Sequence, residues 1–506
     1  MVRASLVVAI AVLSGCGGKK ADNDPKEPKR DAGPAPSPTV APLATPTLGI
    51  DQVRRTNFIY GDGATAHGKA VQAYGAKPRS WAGVKEHAEA AIAKDANHLD
   101  AHWLLGIALA QAGEHASAVQ HLVTALAADF WRYGALLRQD ADLAEFLKTQ
   151  HGTAVTELVA KIQSDYTART NAGLWIVARR SPFRWADKPG VQTTTSRGEV
   201  YAFDREKSRY LRLTHTDHQV AGFVKAPAGN EVVVVGFDKV DHPKDPEAPS
   251  LLARAWVQVY DAADWGKPLG PRATVGTAVR EIAVGFGEGG QVLVVTAPAS
   301  GRWGTGAPTT QSLDKTAGKL VAVQAAAPAP RIVFSLDEGR VVRAADGVSA
   351  AWSGEPPAAP ALTLGGKPIG IPEGKTVSQA SVAVSPDKAF VAFATAGDPC
   401  AKGNAPSLYV HQVKTNASRH LLSASSRFAT RWVDATTLAY DDGEGVIRLW
   451  DAPGGHELLK LDNKAGVALD VLSLTSTPIC KQAPPVVEPA AGSGSNDELP
   501  PEEGRP

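Results

Sequence analysis

Cysteine is scarce in this chain, with three in 506 residues, at positions 16, 400 and 480. Cys400 and Cys480 have no suitable histidine cluster beside them, which leaves them a poor zinc site. Charge of one sign is also missing: 53 Lys and Arg against 52 Asp and Glu give a formal net charge of +1. Broad nucleic-acid binding depends on concentrated basic charge that displaces counterions, so nucleic acid is not an expected partner. No apolar run approaches the about 20 residues that a membrane-spanning helix needs. The familiar catalytic signatures are absent as well: no Gly-x-Ser-x-Gly elbow, no Walker loop and no His-Glu-x-x-His zinc helix occurs. The sequence therefore assigns no catalytic residue, no metal ligand and no cofactor.

What is present supports large cores. Apolar residues make up 43% of the chain, and its length suits two or three domains. Residues 1–15 combine a basic flank at Arg3, a short apolar run over 6–13 and small residues before a cleavage point, the make-up of a secretory signal. Leu13-Ser14-Gly15-Cys16 resembles the lipobox of bacterial lipoproteins at all four positions. The resemblance implies cleavage before Cys16, a diacylglycerol on its thiol and usually an acyl group on its amine. Multiple chains anchor stably where one binds only marginally. The expected membrane partner is thus reached through the lipid alone. Gly17 stands where an Asp would favour inner-membrane retention in well-studied Gram-negative lipoproteins, which by that resemblance points to the outer membrane, facing the periplasm or the cell surface.

Residues 16–47 lack apolar periodicity and are rich in Lys, Asp, Pro, Ala and Ser, so a disordered spacer is expected behind the lipidated cysteine. Residues 481–506, made of Pro, Ala, Gly, Ser and acid, read as a disordered tail. With Cys16 lipidated, Cys400 and Cys480 remain. Two cysteines in an exported protein suggest a disulfide, with two buried free thiols as the alternative.

Between 63 and 169 the pattern is helical. Ala88, Ala91 and Ile92 share a face. A break at 95–98 precedes a second helix over 100–112, which Gly113 ends, and a third over about 115–128. Two more helices are expected at about 133–148 and 153–169. Leu105-Gly106, Gly113, Ala118 and Ala125-Leu126 fall where the tetratricopeptide repeat has its Leu-Gly pair, turn glycine, small packing residue and late Ala-Leu. Small residues there let paired helices approach closely. Phe130 replaces the usual closing proline, and Leu109 the usual aromatic. The resemblance places Trp103 on the concave side, where such domains hold extended peptides, and makes Trp103, Ile107 and Gln111 candidates for a peptide groove. A generic helical bundle without a groove is the alternative reading, and a tryptophan on a helix is more often plain core than a groove residue.

From 171 to 478 the period becomes alternating, with short strands at even spacing, among them 174–178, 199–203, 231–236, 292–296, 331–335, 389–395 and 446–450. So many strands point to a β-propeller of about six blades, or seven, with a strand near Val467 pairing back to Leu174. Val384-Ser385-Pro386-Asp387-Lys388 followed by 389–393 resembles the strand–turn–strand signature of TolB-like propellers, and residues 445–451 with Trp450-Asp451 resemble the third strand of a WD-repeat blade. The expected fold is therefore multidomain α plus β, a short tetratricopeptide-like helical domain followed by an all-β propeller. Pro/Gly-rich insertions at 240–250, 297–317 and 353–376 would emerge at blade rims, as a binding rim or as tolerated loops.

Three polar motifs need weighing. His215-Thr216-Asp217-His218 offers metal-like donors, but it follows a strand where a turn is expected anyway. Residues 441–445 lack the ligand spacing of a calcium loop and read as a hairpin turn. Asn416-Ala417-Ser418 matches a glycosylation sequon that arises often by chance. Phe183, Arg184 and Trp185 are expected in a loop, and Trp303 in an insertion. Together these features favour a lipid-anchored, non-enzymatic scaffold with a protein or peptide partner. A propeller hydrolase or lyase with a central-channel site, or a small-ligand or sugar sensor, are the alternatives.

Overall fold

A computed structural model describes residues 63–179 without a break and most of 183–478 in shorter stretches. The signal and lipobox with Cys16, the 16–47 spacer, the strand expected at 331–335, Trp303, Cys400, Cys480 and the 481–506 tail lie outside the described residues. The fold is mixed, with helices first and antiparallel sheets after them.

Seven α-helices are described: α1 (Ala64–Gly75), α2 (Trp81–Lys94), α3 (Leu99–Gln111), α4 (His115–Ala128), α5 (Phe130–Gln139), α6 (Ala144–Leu147) and α7 (Gln150–Ala172). Gly113 ends α3 as expected. At φ 78° it lets its own N–H reach the Ala110 carbonyl at 3.2 Å, while the Glu114 N–H reaches that of Leu109 at 2.9 Å. Gly106 faces α4 so closely that a Cβ there would lie 2.8 Å from the Leu122 side chain, the close approach that a small residue permits.

The single helix expected at 133–148 is instead two, α5 and α6. Asp140 breaks it: the Asp140 carboxylate accepts the Asp142 N–H at 3.0 Å and opens a 3₁₀ turn over Ala141–Leu143. Such local side-chain bonding competes with helix propagation. The last helix also starts earlier than expected, because the Thr149 hydroxyl caps it by accepting the Gly152 N–H at 3.1 Å.

The described strands form antiparallel sheets of nine, seven, four, four, four and three strands, none of them closed into a propeller, and within these sheets runs of four strands follow one another. Val220–Lys225, Glu231–Gly236, Trp256–Asp261 and Asp264–Pro268 follow one another in hydrogen-bonded order. So do Val279–Phe286, Val292–Ser300, Thr309–Asp314 and Lys319–Ala322. Val377–Val384, Phe390–Thr395, Ser407–Gln412 and Ala417–Ser423 form a third such group, and Ala429–Trp432 through His456–Asp462 a fourth. A shorter set runs from Ala344–Ala345 to Lys367–Pro368. Leu174–Arg179, Gly198–Asp204 and Arg209–Arg212 take their fourth strand from far along the chain: Val467–Ala468 pairs with the first, Val177 opposite Ala468.

Within a group, burial falls outward. Phe390–Thr395 is buried throughout, whereas Ala417–Ser423, at the outer edge of the same sheet, is mostly exposed. The Ser385–Lys388 turn has a mechanical basis. The Ser385 hydroxyl donates to Asp387 at 2.6 Å and accepts the Phe390 N–H at 2.9 Å, with Lys388 at φ 60°. Aspartates ending third strands close the next hairpin in the same spirit: Asp261 accepts the Ala263 N–H, Asp314 that of Thr316 and Asp451 that of Gly454. Trp450-Asp451 is therefore one instance of a recurring device.

Helices and sheets share one apolar core. Trp103, Leu122, Phe130, Trp131 and Tyr166 belong to the same buried cluster as Trp175, Phe223, Trp256 and Trp265. The C-terminal end of α7 is fastened to the first sheet, since the Tyr166 hydroxyl donates to the Arg212 carbonyl at 2.8 Å and the Trp175 indole N–H to that of Thr170 at 2.7 Å.

Candidate functional site

Two of the three groove candidates lie inside the protein. Trp103 is 5% exposed and packs against Tyr133 of α5, ring centroids 5.2 Å apart, and Ile107 is 1% exposed. α3 is apolar on nearly every face because neighbouring helices surround it, so its tryptophan serves the core. Gln111, at its C-terminal end, is exposed, and its amide donates to the Asp142 carbonyl.

Around Gln111 a rim is assembled from α1, α2, α3 and the Ala141–Leu143 turn, with Arg79 between the first two. The Asp142 carboxylate takes the Arg79 guanidinium and, at 2.7 Å, the Tyr74 hydroxyl. Arg79 in turn lies 4.6 Å over the Tyr74 ring and 5.7 Å from that of Trp81. Partly exposed rings with a cation across their faces are the chemistry that anchors partner chains. The rim is thus the candidate contact face of the helical part.

The turn at His215–His218 is where helices and sheet meet, and it surrounds a carboxylate. Glu199 is wholly buried. One oxygen accepts the Thr216 and His218 backbone N–H groups at 2.6 and 3.0 Å and pairs with Arg212 at 3.0 Å. The other accepts the Thr214 and Thr216 hydroxyls at 2.5 and 3.0 Å. Asp217 and His218, at φ 57° and 58°, bend the chain around it. Burial alone would raise the Glu199 pKa, but Arg212, His218 and the Thr214 hydroxyl together hold it below the ordinary carboxylate range. His215 points away to buried Asp129, its Nε2 2.9 Å from a carboxylate oxygen. Asp129 is likewise held low: burial opposes its charge, and His215, Arg212 and Arg132 outweigh it.

His215, Thr216 and His218 therefore act as hydrogen-bonding groups, and Asp217 bends the chain between them. Among the described residues no cluster of three or more His, Cys, Asp or Glu has the geometry to hold a metal. Residues 183–185 are not in a loop as expected: Phe183–Lys188 is a strand paired with Val191–Thr195, which pairs with Thr475–Pro478. Asn416, at φ 53°, sits in the tight turn between Ser407–Gln412 and Ala417–Ser423. Of the 441–445 motif, Asp441 ends a strand and 442–445 lie outside the described residues. Sequence reasoning passed over Glu199, Arg212 and Asp129. The first two carried a partial signal, since each is a charged residue next to the apolar stretch of its strand, Glu199 before Val200–Phe203 and Arg212 after Tyr210-Leu211.

No family model matches the chain, and no curated protein does. Among solved structures it is similar to TolB from Acinetobacter baumannii, at 12% identity over 62% of this chain and 71% of that one, with a TM-score of 0.36. It is also similar to the tricorn protease, at 13% identity and a TM-score of 0.34 over 59% of this chain, which spans 27% of that protein. A third is the computationally designed Ika8 protein, at 16% identity over 57% of this chain and 76% of that one, with a TM-score of 0.24. At TM-scores this low, none of the three decides the fold or the activity. Among the described residues no helix is long and apolar enough to cross a membrane.

Proposed function

We propose that the chain is a lipid-anchored, non-enzymatic protein-binding scaffold of the cell envelope, built from a tetratricopeptide-like helical module and a six-bladed propeller. Successive four-stranded groups, with Val467–Ala468 returned to the first of them, support a ring closed by the C-terminal part of the chain. One observation carries the scaffold reading: helices and first sheets share a single core, so the rim at Tyr74, Arg79, Trp81 and Gln111 is presented at a fixed orientation. Fixed presentation lowers the ordering cost of binding. The partner is a protein or peptide, and a lipid on Cys16 with the 16–47 spacer would raise its effective concentration at the envelope.

Photo-crosslinking in the native host tests this. A crosslinking amino acid at Arg79 or Gln111 is expected to trap a discrete protein adduct that the same probe at Lys161 does not. Cys16→Ser should move the chain to the soluble fraction and deplete the adduct. Identical adducts from rim and control positions, or a membrane-bound Cys16→Ser chain, would overturn the reading.

A further inference from the structure

Seven of the chain's 13 histidines, at 67, 87, 98, 102, 115, 121 and 151, fall in the helical part. Two pairs of them gather at the N-terminal end of α3. At its N-terminal end His98 is fully buried, and its Nδ1 accepts the Ala101 backbone N–H at 3.3 Å, a histidine in the place usually held by Ser, Thr, Asp or Asn. A backbone N–H can only donate, so this Nδ1 carries no proton and the neutral ring holds its proton on Nε2. A second proton has one place to go, Nδ1, where it would confront the Ala101 N–H. For His98, capping and positive charge exclude each other.

One turn along, the same logic fixes a second pair. His102 Nε2 lies 3.0 Å from the Ala96 carbonyl, which can only accept, so Nε2 is protonated and Nδ1 is bare. That bare Nδ1 faces His121 Nδ1 of α4 at 2.9 Å, which must then donate. A proton added at His102 Nδ1 would set N–H against N–H. The groups facing these rings are known on each side. The His67 ring of α1 lies 4.5 Å from His98, and Asp95 at the end of α2 attracts a charge on His102. Asp100 on α3 attracts a charge on His98, although it is also engaged by Arg132 and Tyr133 of α5, at 2.7 and 2.8 Å, and burial outweighs it. The positive end of the α3 dipole adds to the cost of a cation at its cap.

We propose that His98, supported by the His102–His121 pair, is a proton-operated cap that releases the N-terminal end of α3 when the surroundings acidify. Burial first, and the His67 ring second, push His98 down to about 4, and burial with His102 does the same to His121. The unfolded rings titrate near about 6.5, so between those values the unfolded segment binds more protons and stability falls as pH falls. The contribution is complete above about 6.5 and lost progressively toward about 4. Release would loosen the contact of α3 with α5 that Asp100 and Trp103 make with Tyr133.

Amide hydrogen exchange on the full chain, corrected for intrinsic rates, reads the opening directly. Exchange within residues 99–111 is expected to accelerate about tenfold between about pH 7 and pH 5. In His98→Asn combined with His121→Gln, which supplies a cap that does not titrate and removes the second low-titrating ring, the acceleration should drop to about threefold or less. Equal acceleration in wild type and variant overturns the proposal. NMR titration of ring-labelled wild type needs no variant: a His98 ring that gains its proton near about 6.5 while the α3 amides stay protected overturns it as well.

Discussion

Glu199 and His98 are both wholly buried, yet they answer burial in opposite ways. Around Glu199 an arginine, two backbone N–H groups and two hydroxyls converge on one carboxylate, and the charge is retained. Around His98 a backbone N–H demands a bare lone pair, and the charge is refused. What decides ionisation is not depth but whether the neighbours supply opposite charge or require the neutral form. The junction is thereby built to hold across a range of pH, and the α3 cap to give way.

The largest expected effect tests the junction. Arg212→Ala strands the Glu199 charge, and removing one partner of a buried pair costs about 3–5 kcal/mol. Urea unfolding at neutral pH should show it as a lower midpoint. Glu199→Ala is expected to cost at least as much, because the Thr216 and His218 N–H groups lose their acceptor along with Arg212. If either variant is nearly neutral, the cage is a poor explanation of how the helices are held to the sheet.

Acid separates the two centres. Glu199, Asp129 and Asp100 are held below the ordinary carboxylate range, where burial alone would raise them, because paired cations outweigh it. Their contributions are complete above about 4, the unfolded value, and are lost only as pH falls through the lower folded values. The histidines fail earlier, between about 6.5 and 4, and His98 contributes about 3 kcal/mol at most over that window. Circular dichroism at 222 nm should therefore decline at a higher pH than near-ultraviolet signals from the sheets. Coincident declines would show that the two regions lose structure as one unit.

How far the sequence reached follows from the range of each signal. The α3–α4 pair, its Gly113 stop and the Ser385–Lys388 turn depend on residues a few positions apart, and they were legible. A strand near Val467 was expected to pair back to the first strand, and Val467–Ala468 does pair with Leu174–Arg179. For Trp103 the choice between groove and core stayed open in the sequence, because helical periodicity reports which residues share a face, not what lies opposite, and α3 has almost no polar face to orient it. Asp129 and His215 stand 86 residues apart, and nothing local in either marks the other. His98 read only as part of a break between helices, since its capping role depends on ring orientation.

A smaller effect sharpens the comparison within α3. Gly106→Ala gains about 1 kcal/mol of helix propensity, but its Cβ would press on Leu122 at 2.8 Å, and overpacking costs about 1–3 kcal/mol. A modest net destabilisation is expected by thermal unfolding. A stabilised variant would mean that α3 and α4 can part slightly to admit the methyl group.

The smallest effect sets the baseline. Lys148 and Glu145 form an ion pair at 2.6 Å just ahead of α7, with side chains 70% and 84% exposed. Solvent screens such a pair, and the entropy of ordering two long side chains offsets most of its attraction. Lys148→Ala should leave the urea midpoint where it is, even though its drawn geometry rivals that of Arg212 and Glu199. A loss comparable to that of Arg212→Ala would mean that distance alone governs these pairs, and the contrast between an enclosed carboxylate and an open one would have no force.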